Sequence, residues 1–571
     1  MPRLWMPSAR AVLRPPSLRT PRAALAQSLL KPCPAAHLPL VKRVRFFSAS
    51  STSPPHLFDR VLDHAPRVAL YEDGKVDPWT YAQLLDEATS LRDTIRQALP
   101  IATNDPHAPR IASLGSRDAS YLQYILDDSE ASVLVVSREF LDHGEPKNEK
   151  LLAWIQQLQA SGKIAVVPYA RPTPLTPKPH RQSGAEHAVR EWLHTQHQSA
   201  LSTGAHIVYT SGTTGRPKGV VTSHAALTAQ TADVVAAWEM TKRDHLLHFL
   251  PLHHVHGILN NLQCVHYAGG SLEFLASAKA ELVWRKLLEA QAHGRPVSML
   301  MAVPTVYMNL LEEMEKEGSA FYDKQTAVEA ARQLRVAISG SMACPVSILN
   351  RWEQLTGLRL LERYGMTELG MVLTNPLHGE RHLGYVGQPF PSVRVRLVDP
   401  ETDQEVPLDG EGEGEGELRV QGPTVFREYW RKPQATAKEF DADGWFKTGD
   451  IAQYDPTKQS FRIRGRASAD ILKSGGFKIS ALDVERVLLT YPGVLECAVF
   501  GMADDKWGQI VAAVVRVAGK QAVEEADVRT FCRNHLADYC VPRKMFFVDE
   551  IPKNAMGKVN KKALAALFAG K

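Results

Sequence analysis

The 571-residue chain has no apolar run approaching the roughly 20 residues of a membrane-crossing helix, so no membrane span is expected. Cysteine is scarce. Cys33, Cys264, Cys344, Cys497, Cys532 and Cys540 lie scattered, without paired metal-ligand spacing, and are too few to staple a chain of this size. Reduced, buried thiols in a reducing compartment are expected. Acidic residues are absent from positions 1–58, which carry nine basic ones: Arg3, Arg10, Arg14, Arg19, Arg22, Lys31, Lys42, Arg43 and Arg45. Beyond them 58 basic residues face 62 acidic ones, so the formal charge of +5 marks a leader and not a nucleic-acid surface. An Arg-rich, acid-free leader has the composition of a mitochondrial transit peptide, placed at residues 1–47 with Arg45-Phe-Phe-Ser48 as the cleavage neighbourhood. A matrix protein is expected; a basic tail on a cytosolic protein is the competing reading. The ending Ala569-Gly-Lys571 is not a peroxisomal tripeptide.

With 44% hydrophobic and 23% charged residues the composition is ordinary for globular proteins, and the length implies three or four domains or subdomains. The most informative stretch is Tyr209-Thr-Ser-Gly-Thr-Thr-Gly-Arg-Pro-Lys-Gly219. His206 to Thr210 reads as a strand. The glycines, hydroxyls and Lys218 that follow bare backbone N–H groups and a cation, which is the chemistry of a phosphate cradle. Helical spacing resumes at His224 to Met240, so the loop is expected to lead toward a helix whose positive end favours an anion. It is not a Walker A loop, since Lys218 precedes Gly219 and not Ser or Thr. A plain flexible loop is the bland alternative.

Other segments are read in chain order. Trp79 to about Gln97 reads as a helix with a capping hydroxyl, and Arg110–Leu114 and Ala131–Val136 read as strands. Residues 170–187 read as a surface loop. A strand from Leu247 to Leu252 runs into His253-His254-Val-His256-Gly257, where three histidines invite a metal but lack a suitably spaced fourth ligand. Val303–Tyr307 and Arg335–Ser341 read as strand-to-turn units, the second ending in small residues that admit a flat ring. Gly410–Gly416 reads as an exposed acidic hairpin loop, and Glu417 to Asp450 as short strands of a small β-rich subdomain. Leu482–Leu489 reads as an amphipathic helix, and Val494–Gly501 and Gln509–Val517 as strands of a domain of ordinary size beyond Arg466.

The Tyr209–Gly219 loop, Leu361-Glu-Arg-Tyr-Gly-Met-Thr-Glu368, Gly444-Trp-Phe-Lys-Thr-Gly-Asp450 and Pro552-Lys-Asn-Ala-Met-Gly-Lys558 together resemble the adenylate-forming superfamily of acyl-CoA synthetases, from about residue 57 to the C-terminus. The resemblance implies an α/β fold: a large N-terminal AMP-binding domain of doubly wound sheets with a small β-barrel-like subdomain (57–466), and a small mobile C-terminal α+β domain (467–571). It implies ATP, Mg²⁺ and coenzyme A as the small molecules used. Thr210, Ser211, Gly212, Thr213, Thr214, Gly215 and Lys218 would wrap the β- and γ-phosphates. Ser339, Gly340 and Ser341 would border the adenine on which Tyr364 stacks. Thr367 would touch phosphate, Glu368 would hold Mg²⁺, Asp450 with its partner Arg466 would take the ribose, and Lys558 would be the adenylation lysine. Gly475 and Gly476 would meet the pantetheine of CoA, and His254 would lie beside the acyl and thiol channel. The hinge stretch is one residue longer than usual, leaving Ser468 or Asp470 as pivot. Lys561 and Lys562 read as solvated helix charges.

Two features depart from the superfamily pattern. Between Leu114 and Leu122 a helix and a Gly-Gly-led strand are missing, read either as lost coding sequence or as a form with a compromised first subdomain, which would be inactive. Arg363 stands where most relatives have a small residue, and together with His253 resembles the malonyl-CoA synthetase branch. An unpartnered buried charge costs roughly 3–5 kcal/mol, about two to three decades in affinity, so an arginine on the acyl pocket floor favours acids with a second carboxylate: malonate, and methylmalonate as a second substrate. An acyl-CoA synthetase for short or medium monocarboxylates is the alternative, with Arg363 then paired to Glu362 or another acid.

Overall fold

The computed structural model describes residues 68–72, 79–80, 111–113, 119–129, 133–137, 149–161, 164–169, 201–210, 217–275, 277–316, 323–408, 412–517, 523–553 and 559–569, with single positions at 88, 91, 131 and 141. The leader, most of the helix read at 79–97, the loop residues 211–216 and the segment 554–558 lie outside the described residues. So do the phosphate-loop calls Ser211, Gly212, Thr213, Thr214 and Gly215, and Lys558.

The fold is α/β, with doubly wound sheets and a smaller antiparallel sheet beside them. A nine-stranded sheet runs edge to edge through Gln388–Pro389, Gly370–Thr374, Leu361–Met366, Val336–Ser339, Met299–Ala302, His245–His248, Ser271–Phe274, Val68–Glu72 and Trp79–Thr80. From Leu361–Met366 to Val68–Glu72 neighbouring strands are parallel. Parallel strands bury both faces, which is why the central runs Met299–Ala302 and Val336–Ser339 are almost wholly apolar, while Glu273, Glu362 and Arg363 are buried charges on other strands of the sheet. Alternate residues serve two cores. Leu246, Met299, Met301, Val336 and Ile338 pack with Leu227, Val234 and Trp238 of the helix His224–Ala237. Leu247, Leu300, Ala302 and Ala337 pack on the other side with Trp284, Tyr307 and Trp352, carried by the helices Ala280–Ala292, Pro304–Glu315 and Val346–Thr356.

A five-stranded antiparallel sheet, Glu405–Val406, Arg394–Val398, Gly414–Gln421, Phe446–Asp455 and Ser460–Arg466, extends the first core through Leu397, Leu418, Val420, Phe446 and Phe461. After Arg466 comes the hairpin Ile471–Ser474/Phe477–Ser480, turning on Gly475 and Gly476 at φ +56° and +86°, where glycine alone is unstrained. The sheet Val494–Asp504, Gly508–Val517 and Lys544–Phe547 follows, covered by the helices Ala481–Leu488, Glu525–His535 and Lys561–Phe568.

The shortened region forms a parallel sheet of Ile111–Ser113, Val133–Ser137 and Ala165–Tyr169. Parallel pairing requires a crossover, and the helix Ala119–Ser129 supplies it within the residues available. Leu126, Leu134, Val136, Leu151, Ile155, Leu158 and Ile164 form its core.

Several local readings are corrected. The phosphate loop does not lead into a helix. A β-branched strand, Gly219–Ser223, returns antiparallel against Gly204–Tyr209, so a strand and not a helix follows Lys218. The helix His224–Ala237 starts a strand's length away, about 17 Å at ~3.3 Å per residue, with its N-terminus capped by Ser223 and not by an anion at the loop. The strand read at 247–252 is His245–His248, and residues 303–307 open a helix at Pro304, a residue suited to a first turn. Trp79 and Thr80 are strand. The acidic stretch 410–416 is only partly a loop, because Gly414, Glu415 and Gly416 pair with Tyr454, Gln453 and Ala452 of the strand Phe446–Asp455. Residues 433–438 form a short helix where strands were expected. The five described cysteines are free thiols.

Candidate active site

The site assembles where the parallel strands end and the antiparallel strands begin. Strand Leu361–Met366 alternates its side chains, so Glu362, Arg363 and Tyr364 reach different surroundings. Glu362 accepts from the Gly384 N–H at 3.2 Å, and burial pushes its carboxyl up to about 7. It does not pair with Arg363. The Arg363 guanidinium is buried, its Nε and Nη2 have no hydrogen-bond partner, and none of the described acids pairs with it. Burial lowers its pKa to about 10, which leaves it charged at neutral pH. It lies over Gly340: a Cβ there would sit 2.6 Å from the arginine Cζ, so the absence of a side chain at 340 is what admits the guanidinium on that side.

Ser339 is fully buried with an unpartnered hydroxyl, and Ser341 holds a left-handed backbone at φ +72°. The Ser341 hydroxyl meets His256 Nδ1 at 3.3 Å. His256 is held well below the usual histidine range by burial and then by the Arg363 charge, so it stays neutral beside the guanidinium. The resemblance placed His254 at the acyl channel. The structure brings His256 to Arg363, at the start of the π-helix His256–Gln263, and the His254 ring lies tilted against that of His253, centroids 4.2 Å apart. A π-turn carries no sequence signature, so this placement was not legible. Among the described residues no group of three potential metal ligands occurs, at these histidines or elsewhere.

Tyr364 donates its hydroxyl to Asp450 Oδ2 at 2.6 Å, and Arg466 grips both oxygens of the same carboxylate at 2.9 and 3.2 Å. Tyr364 thus joins, across 86 positions, a carboxylate and a guanidinium that are 16 positions apart on neighbouring strands. Thr367 is half-buried in the turn joining the strands Leu361–Met366 and Gly370–Thr374. Next to it Glu368 is buried, and burial raises its pKa against the opposing charges of Lys218 and Arg466. Its Oε1 accepts from the Tyr429 hydroxyl at 2.8 Å. Lys218 lies 3.8 Å above the Tyr429 ring and 3.0 Å from Glu439 Oε1, and the Thr210 N–H closes the hairpin on the Lys218 carbonyl at 2.9 Å. Tyr429 and Glu439, which no motif marked, therefore tie the loop lysine to the buried carboxylate.

Lys561 is not a solvated charge. It sits 2.6 Å from Asp470 Oδ1 and 2.7 Å from Glu485 Oε1, nearly buried, because the helix it opens packs on Phe500 and Ile551. Asp470 also accepts from the Arg466 N–H at 2.9 Å, so this carboxylate bridges the two sides of the hinge stretch. Lys562 is exposed.

A hairpin loop, a buried carboxylate beside it and an Asp–Arg–Tyr network at the ends of parallel strands define an adenylate-forming enzyme by class. Residues 116–430 match the AMP-binding enzyme family and 483–558 the AMP-binding enzyme C-terminal domain, and the chain belongs to this family. It is 37% identical over 589 residues, 95% of this chain and 94% of the relative, to malonate–CoA ligase ACSF3, mitochondrial, of Mus musculus. It is 41% identical to a malonate–CoA ligase of Arabidopsis thaliana, over 64% of this chain and 60% of that one. ATP-bound MatB from Rhodopseudomonas palustris superposes with a TM-score of 0.74 at 29% identity, covering 90% of this chain and 99% of that one.

Proposed function

We propose that the protein is an AMP-forming acid–thiol ligase that joins malonate, and methylmalonate as a second substrate, to coenzyme A. The observation that carries the substrate class is the buried, unpaired guanidinium of Arg363. A monocarboxylate would leave it uncompensated; the distal carboxylate of malonate accepts its free N–H groups. Named relatives that ligate malonate support the reading.

In this reading one malonate carboxylate oxygen attacks the α-phosphorus of ATP, the bond to the bridging oxygen breaks, and pyrophosphate leaves. The thiol of CoA, losing its proton, then attacks the acyl carbon and AMP departs. Positioning and charge neutralisation account for the rate. Lys218 and the loop 210–215 hold the outer phosphates, with Thr367 beside them. Asp450, fixed by Arg466, takes the ribose next to Tyr364, and Gly340 and Ser341 line the adenine side. Glu368 suits Mg²⁺: it is a hard oxygen donor with one oxygen committed to Tyr429, and a bound cation would offset the burial that raises its pKa. That ion would neutralise phosphate charge. Lys558 is assigned the adenylation step, Gly475 and Gly476 the pantetheine, and His254 the channel. The domain division at 466/467 and a mitochondrial matrix location are part of the same proposal, the compartment supported by the mitochondrial relatives and the acid-free leader.

The test is Arg363→Ala, assayed for AMP formation with malonate, methylmalonate and the acids from acetate to octanoate. Malonate kcat/KM is expected to fall by at least about a hundredfold while octanoate is spared or improved. Survival of malonate turnover would remove the diacid assignment.

A further inference from the structure

The helix Ala119–Ser129 contributes nothing to the site described above, yet its contacts converge on the base of the hairpin whose tip is the phosphate loop. On the entering leg, Tyr209 donates its hydroxyl to Asp128 Oδ2 at 2.8 Å. On the returning leg, the Pro217 carbonyl accepts from the Tyr124 hydroxyl at 2.7 Å. The other Asp128 oxygen pairs with Lys432 Nζ at 2.8 Å. Lys432 follows Tyr429, the residue bonded to Glu368 and lying under Lys218. The Tyr209 ring lies across the hairpin on Gly219, where a Cβ would come within 3.1 Å of its Cζ. The rings of Tyr124 and Tyr209 meet edge to face, centroids 6.4 Å apart.

We propose that Asp128 is a positioning residue for the grip on the β- and γ-phosphates of ATP, acting through Tyr209 and Lys432. Its two oxygens accept from two different elements: the strand that enters the loop, and the segment that carries the partner of Glu368. One carboxylate thereby sets the spacing between loop and buried carboxylate. With Tyr209 and Pro217 held on the two legs, the positions of Thr210 and Lys218 are fixed before a nucleotide arrives, so the anchors act on nucleotide affinity. The inference rests on the assignment of residues 210–218 to ATP phosphate.

The experiment uses the full chain, with Asp128→Asn, Tyr209→Phe, their double variant and Lys218→Ala. ATP, malonate and CoA are varied in turn, and thermal unfolding is followed. Each single variant at Asp128 or Tyr209 is expected to raise the ATP KM about tenfold, the scale of one charge-assisted hydrogen bond. The KM values for malonate and CoA stay within about twofold, and the double variant matches the worse single one, because both changes cut the same link. If Asp128→Asn does not fold, Tyr209→Phe, which deletes one oxygen, carries the comparison. An unchanged ATP KM, or three KM values moving together with a lower melting temperature, overturns the proposal in favour of generic packing. Lys218→Ala separates the two levels: if it alone impairs ATP use, only the role of Asp128 is lost; if it too is silent, the loop assignment falls as well.

Discussion

The guanidinium of Arg363 occupies the volume that a side chain at position 340 would need, with Cζ 2.6 Å from where a Cβ would stand. Gly340→Ala is therefore expected to push the arginine off its seat. A close contact of this kind costs about 1–3 kcal/mol, so malonate kcat/KM should drop about tenfold or more. The same change in an Arg363→Ala background should add little, which a double-mutant cycle on malonate turnover checks.

Breaking the buried triad of Lys561, Asp470 and Glu485 leaves two carboxylates close together without their cation. Lys561→Ala is expected to destabilise the C-terminal residues by about 3 kcal/mol, measured by chemical denaturation, whereas Lys562→Ala stays within about 0.5 kcal/mol. Equal effects of the two changes would contradict the burial difference.

The hydroxyl of Tyr364 is one of three donor groups on Asp450, and Arg466 supplies the others. Removing it as Tyr364→Phe deletes a single bond and is expected to raise the ATP KM by about five- to tenfold. Asp450→Ala strands both partners and is expected to cost about a hundredfold or more, read from ATP KM and from AMP binding by calorimetry.

Glu362 links stability to pH. Burial raises its carboxyl from 4.5 to about 7 in the folded chain, so folding favours the protonated form. That contribution is fully present below pH 4.5 and is lost as pH rises through 7. Glu362→Gln keeps an acceptor for the Gly384 N–H and removes the titration. Its unfolding free energy is expected to lose the decline that the unaltered chain shows across this window, and to exceed it at pH 8.

The glycine- and hydroxyl-rich loop ending in Lys218 was readable from composition as phosphate-binding chemistry, whereas the uses of the run from Arg363 to Glu368 and of Asp450 came from the resemblance of their segments to the adenylate-forming superfamily. The doubly wound sheets were expected from the family resemblance, and the strand order is what the folded chain adds. The helix read from His224 onward is there, as His224–Ala237, but it does not meet the loop, because Val220, Val221 and Thr222 take a strand that pairs with Gly204–Tyr209, and pairing is a tertiary fact that local spacing does not carry.

The amino-acid order by itself determined the inventory: a loop of glycines, hydroxyls and Lys218 suited to phosphate, an acid-free leader, and an arginine at position 363 where the resembled family mostly has a small residue. Only the folded chain decided their pairings. It set Glu362 and Arg363 in different surroundings on one strand, brought His256 to the guanidinium, buried Lys561 between two acids, and carried Asp128 to Tyr209 and Lys432. The physical reason is that a charge's value depends on what is packed around it. Partners up to about three hundred residues apart are chosen by strand order and helix packing, which no local window contains.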